Sequence, residues 1–177
     1  AEPSSWRAIQ RMPEGPTKQA WIAAAHKEID ALRSRGVFKP VRLADLPEDA
    51  QVIKMIWVFK LKPPPPGGTE PICKARACLL GNRMVNATPI PGTGDVSTST
   101  INPRMSTVRL LLSKAAQYRW AVHSTDASNA FAQARPARVV YAQMPSGFEV
   151  PGYVYLVAIN VYGDVHAPQA WGSLLKG

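Results

Sequence analysis

Residues 52–62 read VIKMIWVFKLK, and residues 71–80 read PICKARACLL. In the first stretch, large apolar side chains occupy every second position, which is the pattern of a β-strand with one buried face. The face that we expect to be buried carries Ile53, Met55, Trp57, Phe59 and Leu61. Proline and glycine dominate the intervening residues 63–69, which is typical of a turn. The two stretches therefore predict a long β-hairpin.

The predicted hairpin is also basic. Lys60 and Lys62 lie on the face opposite the apolar residues, and Lys74 and Arg76 share one face of the returning strand. Paired cations of this kind could grip a triphosphate or a nucleic-acid backbone. A solvated strand face is the more frequent explanation of surface lysine and arginine, so both interpretations stay open here. Lys60 and Lys62 strengthen the case for a basic patch.

Helices and strands are interspersed along the rest of the chain, which predicts a mixed α/β (α+β) fold class. We expect a helix at 17–35, with Thr17 as its cap and Gly36 at its end. A second helix begins at Pro103, and its apolar stripe consists of Met105, Val108, Leu111, Leu112 and Ala115. Further predicted elements are a short strand within 37–50, a loop at 81–101, strands at 120–126, 139–143 and 153–159, a turn at 144–148 and a helix at 166–175.

Composition narrows the class of protein. The chain has 177 residues, which suits one domain or part of a larger one, and 21 basic against 12 acidic residues give a net charge of +9. This balance favours a polyanionic partner such as nucleic acid, although solubility alone would also explain it. The odd spacing of Cys73 and Cys78 on one strand argues against a disulfide, and so few cysteines fit an intracellular location, cytoplasmic or nuclear. There is no apolar run near 18 residues, so we expect no membrane span.

Asp126 follows a predicted apolar strand. A carboxylate at such a strand end is a candidate ligand for magnesium, which prefers carboxylate and phosphate oxygens. The same residue could instead cap the amides of the next turn, residues 127–130, and spacing alone favours the cap. The three histidines lack the spacing of metal ligands; they are His26, His123 and His166.

Seven short motifs, in order along nearly the whole chain, resemble the reverse transcriptase domain of copia-type LTR retrotransposons. The first three are Trp21, Glu28 and Leu32 of the family's W…E…L helix, residues 57–62 of its KWVFKxK strand, and residues 74–77 of its KARLV strand. The others are residues 109–120 of its tIRlll…aa…gW helix, residues 126–131 of DVKNAF, residues 141–148 of vYmxqPxGF, and residues 162–171 of YGLKQAPRAW. No single motif is specific to this family, but the occurrence of all seven in this order is.

The resemblance implies an RNA-directed DNA polymerase with a right-hand fold. Residues 52–80 would form the fingers hairpin, residues 103–177 part of the palm, and residues 1–16 an extended N-terminal segment. Asp126 would be the first catalytic, Mg²⁺-binding aspartate, and Phe131 the aromatic residue that abuts the nucleotide sugar. Lys74 and Arg76 would face the incoming triphosphate, with Lys60 and Lys62 binding nucleic acid. The implied partners are an RNA template, a DNA primer, deoxynucleoside triphosphates and the rest of the retroelement polyprotein.

The chain departs from the family pattern in two respects. Asp164, His166 and Gln169 replace the leucine, glutamine and arginine of the YGLKQAPRAW motif, and an unpaired acid in an apolar turn would be costly to bury. The sequence also contains no Asp-Asp pair, whereas a two-metal site needs several carboxylates. We therefore expect a domain truncated before its second pair of catalytic aspartates and inactive alone. The alternative is a non-catalytic nucleic-acid-binding remnant of a decayed retroelement.

Overall fold

The computed structural model describes residues 1–84, 103–125, 130–136 and 138–176, without the side chains of residues 131, 132, 175 and 176. Within these ranges the protein has four α-helices and five β-strands. The helices are α1 (Trp6–Gln10), α2 (Pro16–Ser34), α3 (Met105–Gln117) and α4 (Ala167–Lys176). The strands are β1 (Phe38–Arg42), β2 (Val52–Lys62), β3 (Ile72–Leu79), β4 (Tyr141–Gln143) and β5 (Tyr153–Val157). The predicted mixed α/β class is confirmed.

The strands form one sheet in the order β1-β5-β4-β2-β3. β2 and β3 pair antiparallel with Trp57 opposite Ala77, which confirms the predicted hairpin. β4 runs parallel to β2, and β5 is antiparallel to both β4 and β1. β3 is therefore an edge strand, whose outer backbone groups need partners from elsewhere in the chain.

The core lies between the hairpin and α2. The alternating side chains of β2 are buried as predicted at Ile53, Met55, Trp57 and Phe59, and they meet the buried face of α2. That face consists of Trp21, Ala25, Ile29 and Leu32. The prediction was wrong for Leu61, which is 42% exposed. It lies near the turn, where its neighbours are exposed too, because the hairpin extends past the core there.

The ends of α2 follow local backbone chemistry. The helix begins at Pro16, a residue that suits the first helical position because it lacks an amide hydrogen. Thr17 is consequently inside the first turn, and the prediction that it caps the helix was wrong. Gly36 ends the helix as predicted, with a φ of +67° that favours glycine.

The helix α3 is where the sequence pattern misleads most. Of the predicted apolar stripe only Ala115 is buried, whereas Met105, Leu111 and Leu112 are exposed. Among the described residues no helix or strand covers this face, so amphipathic spacing alone does not bury it. The strand predicted at 120–126 is also absent from residues 120–125, which are exposed and without regular structure. A strand needs a partner for its backbone groups, and no described strand pairs with this segment.

The C-terminal end of α3 adopts a conformation that usually requires glycine. Arg119 has a φ of +55°, and the Trp120 amide bonds the Ala115 carbonyl at 2.8 Å. This is the left-handed helix stop in which a side chain costs roughly 1 kcal/mol relative to glycine. The motif that the chain resembles has glycine here, before the tryptophan.

None of the described helices is both long and apolar enough to cross a lipid bilayer.

Candidate nucleotide and nucleic-acid site

The strand register brings the predicted basic residues onto one face. Lys60 lies directly opposite Lys74, and Arg76 lies opposite Val58. Residues opposite each other on antiparallel strands point to the same side, so these cations share the outer face of the hairpin. Lys62, opposite Ile72, joins them. The binding roles of these residues stay predictions, but their common placement is a structural fact.

Two carboxylates balance this charge in part, and the first is Glu2. The ammonium of Lys60 lies 3.1 Å from Glu2 Oε2, and the Leu61 amide donates to Glu2 Oε1 at 2.8 Å. The Leu61 hydrogen bond, followed by Lys60, lowers the pKa of the Glu2 carboxyl. An exposed pair of this kind contributes little, because water and salt screen it. A polyanion could therefore displace Glu2 from Lys60 at little cost.

The second carboxylate is Glu28, on α2. It is half-buried, and this burial raises the pKa of its carboxyl, while Lys74, a hydrogen bond from the Ala77 amide and Arg76 oppose the rise. Because Ala77 belongs to the edge strand, its outward amide would otherwise lack a partner in the sheet. Glu28 thus covers the sheet edge and supplies negative charge beside Lys74 and Arg76. Sequence reasoning placed Glu28 only in a helix motif and missed this role.

Arg76 contacts an aromatic ring from the far end of the chain. Its guanidinium carbon lies 4.5 Å from the centre of the Tyr162 ring, within the range of a cation–π interaction. The Leu79 amide donates to the Tyr162 carbonyl at 2.8 Å, which ties this tyrosine to the end of β3. Sequence reasoning used Tyr162 only as a family motif residue, and nothing in the local pattern points to this contact.

Gly163 explains why the motif pairs glycine with that tyrosine. Its φ is +89°, and a Cβ added there would overlap the carbonyl oxygen of Leu79. A Cβ added at Gly81 would in turn overlap the carbonyl oxygen of Gly163. Because Gly81 and Gly163 have no side chain, the backbone after β3 can pack directly against the segment after β5.

An aromatic cluster supports β2 on its buried side. The Trp57 indole donates from Nε1 to the Ser146 carbonyl at 2.9 Å, and its ring lies 6.2 Å from Trp6 and 5.4 Å from Phe148. The predicted turn at 144–148 is present, closed by a hydrogen bond of 3.0 Å from the Phe148 amide to the Pro145 carbonyl. The KWVFKxK-like and PxGF-like motifs are thus joined through one side chain.

Asp164 is buried, but it is not unpaired. Its Oδ1 accepts a hydrogen bond of 2.8 Å from the His166 amide, two residues ahead. This is a short turn that aspartate and asparagine favour. Burial nevertheless raises the pKa of the Asp164 carboxyl. The hydrogen bonds from the His166 and Ala167 amides and the charge of His166 act in the opposite direction, but the net shift is upward.

Asp164→Asn should remove a pH-dependent loss of stability. A raised folded-state pKa contributes stability that is complete below the ordinary value of 3.8 and is lost as pH rises through the folded value. Asparagine keeps an Oδ1 to accept from the His166 amide and carries no charge, so the variant should be more stable than the natural chain at pH 7. Urea unfolding from pH 3.5 to 7 measures the difference.

The exposed Asp30, changed to asparagine, supplies the control for losing one negative charge elsewhere. The contradicting result would be a difference in free energy of unfolding between the natural chain and Asp164→Asn that does not change with pH. It would show that burial does not disfavour the charged Asp164 carboxylate.

The remaining predicted site residues lie partly outside the description. Asp126 is not among the described residues, and neither is the side chain of Phe131, whose backbone belongs to the 3₁₀ turn Ala130–Gln133. Over the described ranges, no group of three or more histidine, cysteine, aspartate or glutamate residues could hold a metal ion. The cysteines are free, as expected, and burial raises the pKa of both thiols.

The chain matches a protein-family model described as "Reverse transcriptase (RNA-dependent DNA polymerase)" over residues 38–176. This match spans most of the chain, which therefore belongs to the reverse transcriptase family.

Curated relatives indicate the branch of that family. The chain is 28% identical to the retrovirus-related Pol polyprotein from transposon TNT 1-94 of Nicotiana tabacum, over 96% of this chain and 12% of the relative. The corresponding polyproteins from transposons RE2 and RE1 of Arabidopsis thaliana are 27% and 26% identical, over 93% and 97% of this chain and 11% of each relative. The copia-type resemblance is confirmed. The chain spans only about an eighth of the length of these relatives. No solved structure matches it.

Proposed function

We propose that the chain contributes the fingers and the N-terminal palm of an RNA-directed DNA polymerase. In this proposal residues 52–80 are the fingers hairpin, residues 103–177 belong to the palm, and residues 1–16 form the extended N-terminal segment. The family match supports the reaction class, and the relatives' names support a place in a larger polyprotein. The partners would be an RNA template, a DNA primer and deoxynucleoside triphosphates.

The observation that carries the proposal is the cross-strand pair of Lys60 and Lys74. Like charges directly opposite each other destabilise a β-ladder. Glu2 and Glu28 balance this pair only in part, so the face favours a further anion. Arg76 extends the same face along the hairpin away from the turn, and Lys62 extends it toward the turn. Lys74 and Arg76 would bind the triphosphate, and Lys60 and Lys62 the nucleic-acid backbone.

Asp126 and Phe131 complete the proposed site from the family motif. Asp126 would hold Mg²⁺, which supplies charge stabilisation in phosphoryl transfer, and Phe131 would abut the sugar of the nucleotide. The sequence contains no Asp-Asp pair to join Asp126. We therefore infer that the chain alone binds nucleic acid without polymerising. Primer extension on an RNA template with Mg²⁺ tests this inference, and any extended product would overturn it.

Lys60→Ala combined with Lys62→Ala should weaken binding to an RNA–DNA hybrid and reduce its salt dependence, because these two residues are assigned to the nucleic-acid backbone. Each lost phosphate contact lowers the slope of log affinity against log salt by about 0.9, so the double variant should lose roughly two units of slope. Fluorescence anisotropy of a labelled hybrid, measured from low to physiological salt, gives both quantities.

Two control variants sharpen this measurement. Lys27→Ala combined with Lys39→Ala removes the same charge from exposed positions outside the hairpin, and it should leave most of the slope intact. Asp126→Asn should not weaken hybrid binding, since that residue is assigned to the metal. Equal losses in the two double variants would mean that net charge, and not the hairpin face, attracts the nucleic acid.

A further inference from the structure

The contact between Arg76 and Tyr162 joins two motifs that are far apart in sequence. Both side chains are half-buried, and the guanidinium carbon lies 4.5 Å from the ring centre. An arginine side chain in solution has considerable rotamer entropy, which it loses when a ligand fixes it. A ring that already holds the guanidinium reduces that loss.

The backbone of Tyr162 is fixed relative to the strand that carries Arg76. The Tyr162 carbonyl accepts from the Leu79 amide, and Leu79 follows Arg76 on the same strand. Gly163 and Gly81 interlock immediately beyond these two residues, where neither tolerates a Cβ. The arginine and its aromatic neighbour are therefore parts of one packed unit.

A cation–π contact leaves the arginine's hydrogen-bond donors available. The guanidinium has five N–H donors, and attraction to a ring face uses its charge rather than an acceptor. Over the described part of the chain, Arg76 donates no hydrogen bond and forms no ion pair with a carboxylate. Glu28, which influences Arg76 electrostatically, instead accepts from the Ala77 amide. Arg76 is thus oriented by the ring, and no described residue accepts its N–H donors.

We propose that Tyr162 is a positioning residue, whose ring orients the Arg76 guanidinium for binding the phosphates of an incoming nucleotide. The inference rests on the proposed function of Arg76 and deepens it. It assigns a role to a tyrosine that would act through Arg76 and would not need to touch the nucleotide. The ring matters in this role, whereas the hydroxyl does not.

The test is a double-mutant cycle on the whole chain, with inorganic tripolyphosphate as the probe and isothermal titration calorimetry as the measurement. Tyr162→Leu should weaken binding about three- to tenfold, as expected for a lost cation–π contact. Tyr162→Phe should bind like the natural chain. In the Arg76→Ala background, Tyr162→Leu should have no further effect, because the ring acts through the arginine. Tyr153→Leu, at an exposed tyrosine of β5, is the matched control.

A second measurement separates positioning from folding. The Arg76 Nε–H resonance should carry a ring-current shift that Tyr162→Phe retains and Tyr162→Leu abolishes. An equal loss of affinity from Tyr162→Leu with and without Arg76 would overturn the positioning role alone. An Arg76→Ala variant that binds tripolyphosphate as well as the natural chain, or a natural chain that does not bind it, would overturn the proposed function of Arg76 as well.

Discussion

Gly163→Ala should lower the free energy of unfolding by about 2 to 5 kcal/mol, the sum of a left-handed backbone penalty and an overpacking penalty. The backbone penalty arises because Gly163 has a φ of +89°. The overpacking penalty arises because the new Cβ would overlap the Leu79 carbonyl oxygen, a backbone atom that cannot rotate away. Relief would require separating β3 from the Tyr162 segment, which breaks the hydrogen bond from the Leu79 amide to the Tyr162 carbonyl. Urea unfolding followed by tryptophan fluorescence measures the effect.

Gly152→Ala is the matched control. Gly152 has a similar φ of +77°, but a Cβ added there meets nothing within 4 Å. Gly152→Ala should therefore lower the free energy of unfolding only by the backbone penalty, about 1–2 kcal/mol. If the two variants are equally destabilised, the close approach of Gly163 to Leu79 is not what the fold requires at this position.

The hairpin and the placement of its cations could be predicted from sequence because both depend on a period of two. Alternation fixes which residues of β2 share a face, and the turn residues 63–69 indicate that the strands pair as neighbours. Lys60 and Lys74 consequently share a face in the structure. The local turn that pairs Asp164 with the His166 amide could also have been predicted, because aspartate commonly bonds the amide two residues ahead.

The contacts that complete the candidate site could not be predicted in this way. Arg76 meets Tyr162, and Glu28 covers the Ala77 amide, across long separations that no local pattern encodes. Alternation at 120–125 predicted a strand, yet a strand also requires a partner, which the sequence of the segment does not specify. Asp126 lies outside the described residues, so the choice between metal ligand and helix cap still rests on the family motif.

Trp57→Ala should lower the free energy of unfolding by about 3 to 5 kcal/mol, the usual cost of truncating a buried aromatic residue. Trp57 is only 8% exposed, and its ring packs near Trp6, Phe59 and Phe148. Truncation would leave a large cavity behind β2 and remove the donor that satisfies the Ser146 carbonyl. Urea unfolding followed by far-ultraviolet circular dichroism is the appropriate measurement, since the variant also removes a fluorophore.

The same substitution at Trp120 tests whether burial causes the effect. Trp120 is 58% exposed, so Trp120→Ala should change stability by no more than about 0.5 kcal/mol. Comparable effects at the two tryptophans would show that the aromatic cluster does not support the hairpin. If only Trp57→Ala lowers the free energy of unfolding, the loss also affects the candidate site. Trp57 directly precedes Val58, the residue opposite Arg76. The buried side of β2 would then fix the strand on whose outer face the cations are presented.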